Sequence, residues 1–189
     1  MLDHATDVHG DGETSVVVAD INADMLAEGR KRARASRHGA GARLAFVEAN
    51  AQDLRAAGMA DASFDLYTVA FGIRNFTDPA PALREAFRVL KPGGVFACLE
   101  FSKISAPLPL LRTLYTSWNF AVIPLLGQLV AGDRDSYRYL AESIERFPDQ
   151  RTFGDMIKAA GFVVPRSGPA WEDLSGGIVA IHKGIKPLE

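Results

Sequence analysis

Short apolar runs alternate with amphipathic helical patterns through the first half of the chain, and this alternation limits the possible folds more than any other feature. One helical pattern, with Asn22 as its N-cap and an expected end at Gly39 and Gly41, separates the first two runs. Another begins at Asp78 and separates the last two. The runs predict strands at 16–19, 44–47, 64–71 and 95–101. Such alternation is typical of an α/β fold in which helices cover a parallel sheet.

The second half of the chain has a different texture. Residues 102–149 carry prolines and large apolar side chains at irregular helical spacing, which predicts an inserted helical cap. A short helix at 152–160, ended by Gly161, is expected to follow the cap. Final strands are expected at 162–164 and 177–182.

Composition narrows the class of protein further. With 189 residues, of which 48% are hydrophobic and 23% charged, the chain is expected to be globular rather than disordered. A net charge of -2 provides no basic field for nucleic acid, and Cys98, the single cysteine, cannot form an internal disulfide. The four histidines suggest no metal site. The longest apolar stretch, 120–131, is too short to span a bilayer, and the polar residues 1–15 predict no targeting peptide.

Polar residues at strand ends are the main candidates for a site, because ligands of parallel sheets bind beyond the carboxyl ends of the strands. Asp20 could accept hydrogen bonds from ribose hydroxyls or simply cap the next loop, and Asn50-Ala51 could lie against an adenine or form an ordinary loop. The run 71–75 places an aromatic ring, a cation and an amide in one turn. That turn suits a ligand, although Arg74 could equally pair with a surface carboxylate. Glu100 is a further strand-end candidate.

Other reactive groups fit no known arrangement. Ser102, Ser105 and His182 lack the spacing of a nucleophile elbow or catalytic triad, which disfavours a serine hydrolase. The basic run 30–34 is typical of a solvated helix face rather than a nucleic-acid patch.

Several motifs resemble those of the ubiquinone/menaquinone biosynthesis C-methyltransferases. Phe71-Gly72-Ile73-Arg74-Asn75 combined with Leu99-Glu100-Phe101-Ser102 is specific to that family, whereas Lys91-Pro92-Gly93-Gly94 is shared by many class I S-adenosylmethionine methyltransferases. Further matches lie at 16–26, 123–124, 131–133, 143–148 and 175–182. The resemblance therefore extends from Val16 almost to the end of the chain, and it is nearest to the mitochondrial branch.

The resemblance implies a class I Rossmann-like fold with S-adenosylmethionine as cofactor. It implies that Asp20 binds the ribose of this methyl donor, that Asn50 and Ala51 lie by the adenine, and that Ala70 touches the donor. The implied acceptor is a ring carbon of a polyprenylated benzoquinol in ubiquinone biosynthesis.

Arg74 and Asn75 match the acceptor side of the family's site. Arg74 would stabilise the phenolate or position a water that takes its proton. The cap would provide either a path for the isoprenoid tail or a plain hydrophobic core. Its apolar residues are Leu110, Leu111, Leu114, Trp118, Phe120 and Leu126.

The start of the chain is expected to depart from the family pattern. The resemblance implies a helical segment, a first strand and a glycine-rich loop that holds the donor, and we expect this chain to lack them. On this view residues 1–15 are a polar remnant, 16–189 are the methyltransferase domain, and two strand edges are exposed. The expected consequence is weak or absent binding of S-adenosylmethionine by this chain.

The mitochondrial likeness also implies a location and partners. It implies peripheral association with the matrix side of the inner membrane, other quinone-biosynthesis enzymes as partners, and no transit peptide within this chain. Three alternatives stay open: a demethylmenaquinone methyltransferase, a nicotinamide dehydrogenase, and a non-catalytic scaffold subunit of a quinone-biosynthesis complex.

Overall fold

The computed structural model describes residues 1–38, 43–104, 134–164 and 169–188. Its helices are α1 (Leu2–His9), α2 (Ala23–Arg34), α3 (Pro79–Val89), α4 (Arg134–Arg146) and α5 (Gln150–Ala159). Its strands are β1 (Val16–Asp20), β2 (Leu44–Glu48), β3 (Phe64–Ala70), β4 (Leu90–Phe101), β5 (Trp171–Leu174) and β6 (Val179–Ile185). The chain divides into two compact units, Met1–Ala60 and Asp61–Glu189, and these strands form two separate sheets.

The first unit is a parallel β1-β2 pair with α2 packed against it. Val16 pairs with Leu44 and Asp20 with Glu48, so the two strands end at the same level. Leu26 is buried on the inner face of α2, and a Cβ added at Gly29 would lie 2.9 Å from the Phe46 ring. A glycine at this position therefore allows helix and strand to approach closely.

Helix α2 begins as predicted but ends early. The Asn22 side chain accepts hydrogen bonds from the backbone N–H groups of Asp24 and Met25, which confirms the predicted N-cap. The helix ends at Arg34, so the predicted end at Gly39 and Gly41 is wrong, and those glycines lie outside the described residues. Three basic side chains lie in its last turn, where their positive charges interact favourably with the negative end of the helix dipole.

Helix α1 was not predicted, because the residues that form it are mostly polar. Leu2 is its buried residue, and Arg37 pairs with the Asp3 and Asp7 carboxylates. The Arg43 guanidinium donates a hydrogen bond from Nη1 to Thr6 Oγ1, within the helix, at 3.3 Å. Exposed ion pairs contribute little individually, so α1 is held by several weak contacts.

The sheet of the second unit has the strand order β3-β4-β6-β5. Strands β3 and β4 are parallel, but β6 runs antiparallel to both β4 and β5, so the sheet is mixed rather than wholly parallel. The register moves from Phe64 opposite Leu90 to Leu66 opposite Val95. Residues 92–94 therefore form an excursion within one long strand, β4.

The end of the chain differs from the prediction in two places. Helix α5 starts at Gln150 because the Asp149 side chain accepts a hydrogen bond from the Thr152 N–H at 2.8 Å and caps the helix. The predicted strand at 162–164 is wrong, since the described residues there form only an isolated bridge between Val163 and Ile185. The final antiparallel pair is instead made by β5 and β6.

The core of the second unit lies between the sheet and helices α3 and α5. Alternate residues of β4 are buried, including Phe96, Cys98 and Glu100. The first two pack with Leu83 of α3 and Phe153 of α5. Because β4 runs parallel to β3 and Leu99 lies opposite Ala70, these two strands end at the same edge of the sheet. Within the described residues, no helix is long and apolar enough to cross a bilayer.

Candidate functional site

Two of the predicted donor-binding residues are brought together by the β1-β2 pair. The Ala49 N–H donates to the Asp20 carbonyl oxygen at 2.9 Å, so the chain leaves both strands side by side at Asp20 and Asn50. Asp20 Oδ1 accepts a hydrogen bond from the Asn22 N–H at 2.8 Å, and Asn50 Oδ1 accepts one from the Gln52 N–H at 2.9 Å. The predicted capping role of Asp20 is thus present, and it uses one carboxylate oxygen.

The remaining polar atoms of these two side chains suit an adenosyl group. Within the described part of the first unit, Asp20 Oδ2 and the amide nitrogen of Asn50 have no hydrogen-bond partner. A carboxylate oxygen accepts from ribose hydroxyls, and an amide N–H donates to a ring nitrogen of adenine. Ala51, half-buried beside Asn50, adds no bulk that would obstruct a flat ring.

The run 71–75 forms a strained turn at the end of β3. Phe71 has a φ of 54°, a left-handed conformation that is costly for a residue with a side chain. Its N–H still donates to the Leu99 carbonyl oxygen at 2.8 Å, while its own carbonyl oxygen accepts from Arg74 Nη1. The turn continues as a single 3-10 turn, Ile73–Asn75, anchored by the buried Ile73 side chain. Strain of this kind concentrates at functional sites.

Arg74 forms a buried ion pair with Glu100. Arg74 Nη1 lies 3.1 Å from Glu100 Oε1, and the two side chains are 10% and 1% exposed. The Glu100 carboxylate also accepts from the backbone N–H groups of Arg74, at 3.3 Å, and Phe101, at 2.9 Å. The alternative in which Arg74 pairs with a surface carboxylate is therefore wrong.

Helix α4 supplies two contacts that sequence reasoning missed. Ser143 Oγ accepts a hydrogen bond from Arg74 Nε at 3.3 Å and donates to the Leu140 carbonyl oxygen at 2.8 Å. The Tyr139 hydroxyl donates to Asn75 Oδ1 at 3.3 Å. Ser143 begins the run 143–148, which resembles the family, and this motif could have indicated its role. No sequence motif marked Tyr139.

The acceptor-side candidates converge, whereas the donor-side candidates divide between the two units. Arg74 and Asn75 meet α4 at the end of β3, and Ala70 is exposed beside them in sequence. Asp20 and Asn50 belong to the first unit and Ala70 to the second, so a common cleft for all of them stays a prediction. The apolar cap residues that would line a path for the tail lie outside the described residues.

Three other buried groups do not form a nucleophilic site. Burial raises the pKa of the Cys98 thiol, which keeps it protonated and unreactive. His182 Nε2 lies 2.9 Å from the Gln150 carbonyl oxygen, so Nε2 carries the proton, and burial lowers the pKa of this ring. Ser102 Oγ is buried with no hydrogen-bond partner among the described residues, so it has no base to activate it.

Comparison with known proteins agrees with the family resemblance of the sequence motifs. Residues 2–186 match the model of the ubiE/COQ5 methyltransferase family. The chain is 52% identical over 186 residues to the mitochondrial 2-methoxy-6-polyprenyl-1,4-benzoquinol methylase of Schizosaccharomyces pombe, covering 98% of this chain and 59% of that protein. It is 51% identical to the human protein of the same name, covering 93% and 50%. It is also 52% identical to the ubiquinone/menaquinone biosynthesis C-methyltransferase of Paracoccus denitrificans, covering 90% and 64%.

These curated relatives are longer than the chain, which spans about half to two thirds of their length. Among solved structures, a SAM-dependent methyltransferase from Aquifex aeolicus matches 97% of this chain and 74% of its own, with a TM-score of 0.61 at 13% identity. One from Methanosarcina mazei matches 93% and 83%, with a TM-score of 0.60 at 21% identity. The predicted class I methyltransferase fold is thereby confirmed.

Proposed function

Since the chain belongs to the ubiE/COQ5 methyltransferase family, we propose that it takes part in S-adenosylmethionine-dependent C-methylation of a polyprenyl benzoquinol in ubiquinone biosynthesis. The observation that carries this proposal is the Arg74 guanidinium, held at the end of β3 by the buried Glu100 carboxylate. Such a cation can stabilise an oxyanion without being free to move. The names of relatives about half identical to the chain supply the substrate class.

The donor side is assigned to the ends of β1 and β2. S-adenosylmethionine, when bound, supplies an electrophilic methyl group on a sulfonium. The Asp20 carboxylate accepts hydrogen bonds from its ribose hydroxyls, and the Asn50 amide donates to the adenine edge. Ala51 leaves room for the ring. Ala70, at the end of β3, is assigned to the donor by the family resemblance alone.

The acceptor side is assigned to Arg74 and Asn75. A quinol ring carbon becomes nucleophilic when a hydroxyl of the ring loses its proton, so the developing phenolate needs a cation or hydrogen-bond donors. Arg74 remains protonated throughout, and it therefore stabilises the phenolate or orients a water that takes the proton rather than acting as the base itself. Asn75, hydrogen-bonded to Tyr139, orients the ring.

We assign the cellular location and the partner enzymes by the same resemblance. The substrate carries a polyprenyl tail, so the protein would associate peripherally with the matrix side of the mitochondrial inner membrane and work beside other quinone-biosynthesis enzymes. Two of the relatives most similar to the chain are named as mitochondrial proteins. The name of the Paracoccus relative includes menaquinone biosynthesis, which favours demethylmenaquinone as the second candidate acceptor.

The test compares the chain alone with the chain joined to the part of the S. pombe relative outside the matched region. Each protein is given methyl-labelled S-adenosylmethionine and either a short-tailed benzoquinol or demethylmenaquinol. We expect label on the ring carbon of the benzoquinol. If demethylmenaquinol were methylated in preference to the benzoquinol, it would replace the benzoquinol as the proposed acceptor. If neither protein transferred methyl to either ring, the proposed activity would be wrong, and co-purification with other pathway enzymes would then indicate the scaffold role.

A matched pair of variants tests the donor site. Asp20→Asn keeps the shape and the loop cap but removes the charge, so S-adenosylmethionine binding, measured by calorimetry in the chain joined to the remainder of the S. pombe relative, should weaken by about tenfold. Asp24→Asn, at the first turn of α2, provides a control with the same chemical change. Equal donor affinities in the two variants would remove Asp20 from the donor site.

A further inference from the structure

We propose that Glu100 is a positioning residue for methyl transfer, which together with Ser143 of α4 fixes the Arg74 guanidinium so that Nη2 is the donor left for the acceptor. The inference rests on the proposed function, since it names residues that prepare Arg74 for that reaction. Neither residue needs to touch the acceptor.

The Glu100 carboxylate holds Arg74 at both ends. One oxygen, Oε1, lies 3.1 Å from Arg74 Nη1 and also accepts from the Phe101 N–H at 2.9 Å. The other, Oε2, accepts from the Arg74 backbone N–H at 3.3 Å. The carboxylate therefore couples the side chain of Arg74 to its backbone turn, and the neighbouring Phe101 N–H fixes the carboxylate itself.

The hydrogen bonds of the guanidinium determine which donors remain. An arginine has five side-chain N–H donors, one on Nε and two on each terminal nitrogen. Nη1 donates to Phe71 O and Glu100 Oε1, and Nε donates to Ser143 Oγ. Within the described residues Nη2 has no partner, so its two N–H groups are the ones available to an oxyanion.

Packing restricts the same group further. The guanidinium carbon lies 5.4 Å from the centre of the Phe101 ring, and that ring lies 4.9 Å from the Phe71 ring. The Arg74 side chain is only 10% exposed. A guanidinium bonded on two nitrogens and packed on an aromatic face has little rotamer freedom left.

The charges of Glu100 and Arg74 compensate each other. Glu100 is 1% exposed, and a buried carboxylate needs a cation and hydrogen bonds to stay ionised. Its charge offsets that of Arg74, so the direction of the Nη2 donors matters more than the net charge of the site. Because Ser143 lies on α4, that direction depends on how the helix sits on the turn.

The experiment separates positioning from a merely structural ion pair. The variants are Glu100→Gln and Ser143→Ala, and Ser102→Ala is the matched control. Ser102 and Ser143 are both 3% exposed, but Ser102 Oγ has no hydrogen-bond partner among the described residues. The Arg74 Nε–H signal is followed by NMR in the 189-residue chain and identified by its loss in Arg74→Lys. Methyl transfer is measured in the most active of the proteins described above.

We expect Glu100→Gln to speed the exchange of the Arg74 Nε–H with solvent and to lower kcat by about 100-fold, with little change in the KM for the quinol. Ser143→Ala should lower kcat by about tenfold and shift the same NMR signal, whereas Ser102→Ala should do neither. An unchanged Nε–H signal in Glu100→Gln and Ser143→Ala would overturn the proposal, as would an unchanged kcat or an equal loss in Ser102→Ala. Because the NMR measurement needs no turnover, failure of the methyl-transfer reaction would be distinguishable from failure of Arg74 fixation.

Discussion

Removing the Arg74 charge while leaving Glu100 in place should cost more stability than the loss of an ordinary ion pair. Arg74→Met keeps an unbranched stem but leaves a carboxylate that is 1% exposed without its cation. Breaking a buried pair by removing one partner costs about 3–5 kcal/mol. Two backbone N–H groups still donate to the Glu100 carboxylate, so we expect the lower end, about 3 kcal/mol in the free energy of unfolding.

A second variant identifies the cause of that loss. Adding Glu100→Gln to Arg74→Met removes the unpaired charge, and the double variant should recover at least about 1 kcal/mol.

The assay is urea unfolding followed by tryptophan fluorescence, since Trp118 and Trp171 both belong to the second unit by sequence position. Lys91→Met is the matched control, because the Lys91–Asp65 pair has side chains 44% and 82% exposed. That control should cost less than about 1 kcal/mol. Equal losses in Arg74→Met and Lys91→Met, or no recovery of stability in the double variant, would refute the buried-pair argument.

Two further predictions concern the packing of the second unit. Burial lowers the pKa of His182, so as pH falls below 6.5 the unfolded chain takes up a proton before the folded one does. The free energy of unfolding should therefore drop by up to about 1.4 kcal/mol more in the wild type than in His182→Gln between pH 7.5 and 5.5, and parallel pH profiles would contradict this. Gly161 has a φ of 107°, and an added Cβ would lie 2.9 Å from the Phe87 ring, whereas Gly176 has a φ of 70° and open space. Gly161→Ala should therefore destabilise the protein by about 1 kcal/mol or more beyond Gly176→Ala in urea unfolding, and equal effects would show that the ring moves aside freely.

Local signals explain which elements could be predicted from sequence. Asn22 and Asp78 each cap the helix that follows, and their side chains accept the backbone N–H groups expected of them. β-branched and aromatic runs located β1 and β3 to within one residue. These features depend on neighbours within a few positions, which a sequence contains directly.

Elements set by distant contacts were missed or displaced. Strand β5, Trp171–Leu174, contains two acidic residues and does not resemble a buried run, yet it pairs with β6 across a short turn. The apolar residues at 162–164 looked more like a strand but form only one bridge. Tertiary pairing overrode local preference at both places.

In the candidate site, too, local features could be predicted from sequence and distant contacts could not. The turn at 71–75 was identified from its residue types, but its strained φ at Phe71 and the contacts of Arg74 depend on the fold. Glu100 lies 26 residues after Arg74, and Ser143 lies 69 residues after it. No spacing rule links positions so far apart. Sequence reasoning could name the cation, whereas the structure was needed to identify the groups that hold it.

The most direct test of these residue assignments is the effect of Arg74→Ala on turnover and donor affinity in the protein that transfers methyl to the quinol. Because Arg74 is assigned to the acceptor and Asp20 to the donor, Arg74→Ala should abolish turnover and leave the Kd for S-adenosylmethionine nearly unchanged. Turnover at the wild-type rate, or a loss of donor binding as large as that in Asp20→Asn, would contradict the assignment.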